Sequence, residues 1–147
     1  MQTQEAAVRR DWLAVLARAS TAELEACTQR AGPLPPMQAV RPAEVGMTML
    51  RGRTGGTGAA FNLGEASVTR CALRVAGVLG VGYTLGRDRR KAELVALFDA
   101  LLQQDERRWL REVVEPLRER QARDRAAKSR AAASSRVDFF TMVRGEA

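Results

Sequence analysis

The spacing of apolar residues changes twice along this chain, and those two changes limit its fold class more than any other feature. Val8, Trp12, Val15, Leu16 and Ala19 recur at helical spacing. From Met37 to Leu85 the period falls to two, with Met47/Met49, Phe61/Leu63 and Thr69/Cys71/Leu73/Val75 alternating against Arg51, Asn62, Arg70 and Arg74. Leu94, Leu97, Phe98, Leu101 and Leu102 then return to a helical stripe. The middle leaves no room for crossover helices, so its strands must run antiparallel. The expected architecture is α+β: an antiparallel meander of four or five strands with two N-terminal helices and two C-terminal helices, followed by an extended C-terminal tail.

Local signals place the boundaries. Ser20-Thr21-Ala22-Glu23 fits a capping box that starts a second helix, and Gly32-Pro33 ends it. Turn residues at 44–46, 54–58, 64–65 and 76–77 divide the middle at hairpin spacing. In the strand Val78 to Leu85, Val81, Tyr83 and Leu85 share one face, while Gly80, Gly82 and Thr84 share the other. Such a bare strip admits a closely approaching backbone, either one of this chain's own helices or a partner's. Asp88 can cap the third helix. The segment 106–133 starts with Trp109, Leu110 and Val113 but is nearly all polar beyond Pro116. Its i, i+4 pairs Glu119/Arg123 and Asp124/Lys128 suit a solvated helix, with a partly disordered linker as the alternative. One α+β domain is expected over residues 1–133, with 117–133 as polar helix or linker and 134–147 as an apolar tail.

Composition narrows the chemistry. Histidine is absent, which removes the commonest general base near neutral pH and the commonest metal ligand. Cys27 and Cys71 stand too far apart for a metal half-site, and both fall on apolar faces as small buried hydrophobes. The carboxylates Glu93/Asp99 and Asp105/Glu106 do not share a helix face, so solvent or capping roles are expected of them. No apolar run approaches the roughly 20 residues needed to cross a bilayer, and the polar start lacks a signal peptide's apolar stretch; a cytoplasmic protein is expected. Net charge is +7, and it is concentrated in the middle: Arg41 to Lys91 holds nine basic residues against Glu44, Glu65 and Asp88.

Three places could meet a ligand or partner. The run Arg51-Gly52-Arg53-Thr54-Gly55-Gly56-Thr57-Gly58 could present backbone amides and two guanidinium groups to a phosphate or phosphonate, or form a plain hairpin turn. It is neither a Walker loop nor a dinucleotide fingerprint, since the GKS/T ending is missing and a strand follows. Arg87-Asp88-Arg89-Arg90-Lys91 crowds cations into the first turn of a helix, where the dipole is already positive; a bound anion or an acidic partner would relieve that cost. The tail, through Arg136, Val137, Phe139, Phe140, Met142 and Val143, could add to a partner's sheet edge or fill its pockets, or fold back on its own core.

Several blocks of the chain are distinctive together: Trp12-Leu13-Ala14-Val15-Leu16-Ala17, Arg53-Thr54-Gly55-Gly56-Thr57-Gly58, Phe61-Asn62-Leu63-Gly64-Glu65-Ala66 and Val68-Thr69-Arg70-Cys71-Ala72. Gly82-Tyr83 with Gly86-Arg87-Asp88 and the tail Ser135-Arg136-Val137-Asp138-Phe139-Phe140-Thr141-Met142-Val143-Arg144-Gly145 complete the set. On these blocks the chain resembles the PhnG subunit family of the bacterial carbon-phosphorus lyase core complex, which degrades phosphonates. The resemblance runs from about Arg9 to the end, but between Gln103 and Ala133 it is only one of length and polarity.

The resemblance implies a subunit that works with PhnH, PhnI and PhnJ in the cytoplasm, in a structural or accessory role. That assembly takes ATP and an alkylphosphonate, displaces adenine, and forms α-D-ribose 1-alkylphosphonate 5-triphosphate. The iron-sulfur cluster and S-adenosylmethionine belong to PhnJ, and no cofactor, metal or catalytic residue is implied for this chain. The rival reading is a small basic nucleic-acid-binding module, but aromatic residues make up only 5%, too few for a stacking platform. A self-sufficient enzyme built on Cys71 or Tyr83 is a further alternative.

Overall fold

The helix α1 (Gln2–Arg18) turns through Ser20 into α2 (Thr21–Ala31) by the capping box expected from the sequence. The Glu23 amide donates to the Ser20 hydroxyl at 3.2 Å, and the Ser20 amide donates to the Glu23 carboxylate at 2.7 Å. Gly32, with a φ of 76°, then lets the chain leave the helix. The computed structural model describes residues 2–135, so the tail proposed for docking, Arg136, Val137, Phe139, Phe140, Met142 and Val143, lies outside the described residues.

The middle forms three strands rather than four or five: β1 (Met37–Arg53), β2 (Ala60–Val75) and β3 (Val78–Leu85), antiparallel in the order β1-β2-β3. Two of the expected turns are irregularities inside long strands. Around Pro42 to Glu44, β1 carries extra residues relative to β2 without changing direction. Proline has no ladder donor, and an edge strand is where that loss is tolerated. At Gly64, with a φ of 145°, β2 has one extra residue, Leu63, between the pairs Leu50/Gly64 and Arg51/Asn62. Glycine there accommodates a bulge instead of a reversal. The true reversals are at 54–59 and at Ala76-Gly77, whose two positive φ values of 48° and 85° suit a two-residue hairpin.

The third helix, α3 (Arg89–Gln104), lies against the face of the sheet that carries Cys71, Leu73 and Val75. It occupies the bare glycine strip of β3. A methyl group on Gly80 would sit 1.9 Å from the Ala96 carbonyl oxygen, and one on Gly82 would sit 2.0 Å from that of Ala92. The close-approaching backbone is therefore this chain's own. Covered by the sheet on one side and by α1 and α2 on the other, α3 is buried from Leu94 to Leu102 without interruption.

The last stretch consists of α4 (Glu106–Trp109), a π turn (Leu110–Val114) and α5 (Glu115–Ser134). The π turn precedes Pro116, whose ring and missing amide cannot continue a regular ladder; the Glu115 amide bonds to the Leu110 carbonyl instead. Trp109 stacks edge-on against Phe98, with ring centroids 6.0 Å apart, and joins this stretch to the core. The polar segment is helical. Gln121 donates to the Val15 carbonyl at 2.9 Å, and every residue from 122 to 135 is exposed.

Candidate functional site

The glycine loop closes the β1–β2 hairpin. The amides of Thr57 and Gly58 both turn inward to the Thr54 carbonyl, the latter at 2.8 Å, and the Arg53 guanidinium donates to the Gly58 carbonyl at 3.2 Å. Gly55 and Gly56 supply φ values of 59° and 82° that the turn requires. Gly58 is needed for a different reason: a β-carbon there would lie 2.6 Å from the Thr54 carbonyl oxygen. Two amides that a nest would point at an anion are thus committed to the turn. Arg51 stands exposed across from Asn62, with no carboxylate partner among the described residues.

The second cluster is set by the turn from β3 into α3. The Gly86 amide donates to the Ser67 carbonyl at 2.8 Å, and its carbonyl accepts from the buried Thr69 hydroxyl at 2.8 Å. This pins the turn to β2 and places Asp88 as the cap, its carboxylate accepting from the Lys91 amide at 2.9 Å. Thr21 donates to the same carboxylate. These bonds, that from Thr21 first, hold the Asp88 carboxyl below its ordinary pKa. The chain's own carboxylate therefore fills the position at the helix start where an outside anion would bind. Arg90 is paired with Glu25 at 3.2 Å and with Glu93 at 3.7 Å, and Arg87 leans on the Ser67 hydroxyl at 3.4 Å. Arg89 is exposed.

The two cationic clusters are not brought together. Ser67, which meets Arg87, lies seven residues along β2 from Ala60 at the foot of the glycine loop. That distance is on the order of 20 Å at strand rise.

One polar centre is not where the sequence placed it. Asp99, expected in solvent or as a cap, is fully buried. Arg9 grips it through Nε at 3.1 Å and Nη2 at 2.7 Å, the Trp12 indole donates at 3.0 Å, and the Val81 amide donates at 2.9 Å. The network ties α1, α3 and β3 together. The signal available was a single acid in a run, Leu94 to Leu102, that is otherwise wholly apolar. Asp105 does cap, accepting from the Arg108 amide at 3.1 Å.

Neither cysteine is poised for chemistry. Both are free and buried, and burial pushes both thiols up in pKa, for Cys27 against the nearby Arg30 charge and for Cys71 reinforced by Glu93. Among the described residues no group of three potential metal ligands occurs, and no helix is long and apolar enough to cross a membrane. What the two clusters offer is cationic hydrogen-bond donors, with the neighbouring carboxylates of Asp88, Glu25 and Glu93 engaged in capping or ion pairs.

Comparison with known proteins decides the family. The family model described as phosphonate metabolism protein PhnG matches residues 7–145. The chain belongs to the PhnG family. The subunit PhnG of alpha-D-ribose 1-methylphosphonate 5-triphosphate synthase from Rhizobium meliloti (strain 1021) is 44% identical over 146 residues, covering 95% of this chain and 91% of that protein. The family match runs unbroken through the segment 103–133 of this PhnG chain, where the sequence reading had only length and polarity to go on.

Proposed function

We propose that this chain is the PhnG subunit of a multi-subunit synthase that makes α-D-ribose 1-methylphosphonate 5-triphosphate in phosphonate metabolism. The observation that carries this reading is the 44% identity with the Rhizobium meliloti subunit across nearly the whole length of both chains. In this reading the sister subunits are PhnH, PhnI and PhnJ, and ATP and an alkylphosphonate are substrates of the assembly. Iron-sulfur and S-adenosylmethionine chemistry resides in PhnJ, and the assembly is cytoplasmic. The role of this chain is structural or accessory, in keeping with a histidine-free sequence and two buried thiols. The family match lends no support to a nucleic-acid-binding module.

Within that role, Arg51 and Arg53 with Gly55, Gly56 and Gly58, and Arg87, Arg89 and Arg90, are the proposed contacts to nucleotide, phosphonate or partner. Arg51 and Arg89 are the strongest of them, both being exposed and free of a carboxylate partner among the described residues. The proposed domain division keeps residues 1–133 together and reserves 134–147 for docking. Pull-down of the tagged chain from phosphate-starved cells tests the subunit reading, with sister subunits expected among the co-eluting proteins. Replacing Arg51 and Arg53 by alanine should lower synthase activity of the reconstituted complex while leaving it assembled; full activity would leave the loop as a plain turn.

A further inference from the structure

The β1–β2 hairpin extends well past the rest of the fold. Strand β3 pairs with β2 only from Val68 to Val75. Beyond that point Met47–Arg53 and Ala60–Ser67 form a two-stranded ribbon with no third strand among the described residues, on the order of 20 Å long at strand rise. Its outer part, from Ala60 to Glu65, is exposed throughout.

This ribbon carries exposed apolar side chains on both faces. Met47 and Met49 continue the face that α3 covers farther down. Leu50, Phe61 and Leu63 lie on the other, with Leu63 folded over the bare Gly52. Leu79, Tyr83 and Leu85 extend that second face across the uncovered side of the sheet. Met47 is 57% exposed, Leu63 62% and Leu85 65%. A two-stranded ribbon is at best marginally stable alone in water, and its open edges invite pairing.

We propose that this ribbon is a docking arm, clasped by a sister subunit that presents an apolar groove rimmed with carboxylates. The proposal rests on the subunit reading above. Charge decides the occupant. The ribbon's ionised side chains are Arg51, Arg53 and Glu65; Arg87 leans against its base, and the open sheet face carries Arg74 beside Arg70, the latter paired with Glu44 at 2.8 Å. A second copy docked there would bring like charges together. Nucleic acid would satisfy the arginines but leave the methionines, Leu63 and Phe61 without a partner. An acidic-rimmed apolar groove satisfies both sets, with the side chains at 47, 49, 61 and 63 supplying affinity and the arginines supplying orientation and encounter rate.

The test is co-purification of the full chain with its sister subunits, comparing wild type with Met47→Asp/Met49→Asp and Phe61→Asp/Leu63→Asp. All four positions are exposed, so both variants should keep the wild-type circular dichroism and melting temperature. If one does not fold, Leu63→Ser alone takes its place. The expected result is at least a tenfold loss of co-purified subunits, together with wild-type association that slows as salt rises. Wild-type recovery matched by both variants overturns the arm while leaving the subunit reading intact. Wild-type chain that recovers no sister subunit overturns the subunit reading and the arm with it. A homodimer in light scattering that these substitutions dissolve, or salt-sensitive RNA binding that they abolish, likewise overturns it by naming a different occupant.

Discussion

At the scale of single residues, the centre of the fold is a buried carboxylate. Asp99 is out of contact with water, and its charge is balanced by the half-buried Arg9 and by donors from Trp12 and Val81. Removing one partner of such a pair leaves the other uncompensated. Asp99→Ala should therefore lower unfolding free energy by about 3–5 kcal/mol in urea denaturation. Asp99→Asn, which keeps an acceptor for Trp12 but loses the charge opposite Arg9, should fall between that variant and wild type. The glycines of β3 make a second prediction of the same kind. Gly82→Ala puts a methyl group 2.0 Å from the Ala92 carbonyl oxygen, which the α3 backbone can relieve only by moving away, at a cost of at least about 1–3 kcal/mol. These two sites differ in how readable they were. The glycine strip follows from strand alternation alone, since side chains two apart must share a face. Asp99 does not, because its partners Arg9 and Trp12 lie some 90 residues away and only the packing of α1 on α3 brings them to it.

At the scale of elements, the boundaries that the sequence announced most firmly were those stated by local chemistry: the Ser20 capping box, the Asp88 cap and the Ala76-Gly77 hairpin all stand where expected. The turn signals at 44–46 and 64–65 are read differently by the fold. Glycine and proline signal a departure from regular strand geometry, and a bulge satisfies that requirement as well as a reversal does. Which one occurs depends on whether the partner strand continues, and that is not a local property. The polar α5 was also ambiguous, because few of its own residues could bury a face; it is anchored instead through side-chain contacts to the first two helices. Glu23, which caps α2, also accepts from Arg120 of α5 at 2.8 Å, and Arg118 pairs with Asp11 of α1. The bond from Arg120 first, then that from the Ser20 amide, holds Glu23 below its ordinary pKa. The folded state thus binds that proton less readily than the unfolded state. The resulting stability is present above the ordinary glutamate range and is lost as pH falls through the lowered folded value. Thermal melts taken from pH 6 down to pH 3 should show this loss, shared with Asp88, and Glu23→Gln should flatten its part of the slope while loosening α5 in amide exchange.

At the scale of the whole molecule, the core gathers under one face of the sheet and leaves the surfaces proposed for function elsewhere. Helices α1 to α3 and the start of the last helical stretch bury Phe98, Leu16, Leu24 and Val113 together. The other sheet face, the ribbon and the outer half of α5 bury little, and they carry much of the exposed apolar and basic surface. That division suits the proposed subunit role: a self-contained core that folds, and separate surfaces open to partners. Two holds on those partners are proposed. The ribbon leaves the sheet, whereas the tail follows a helix whose residues from 122 to 135 are exposed on every side. Deleting residues 137–147 removes none of the buried residues described above and should leave melting temperature unchanged while weakening co-purification with sister subunits. If ribbon and tail hold the same assembly at distant points, each raises the effective concentration of the other, so losing both should cost far more recovery than losing either. Unchanged assembly after the tail deletion would remove the tail as a hook and leave the ribbon to account for the whole attachment.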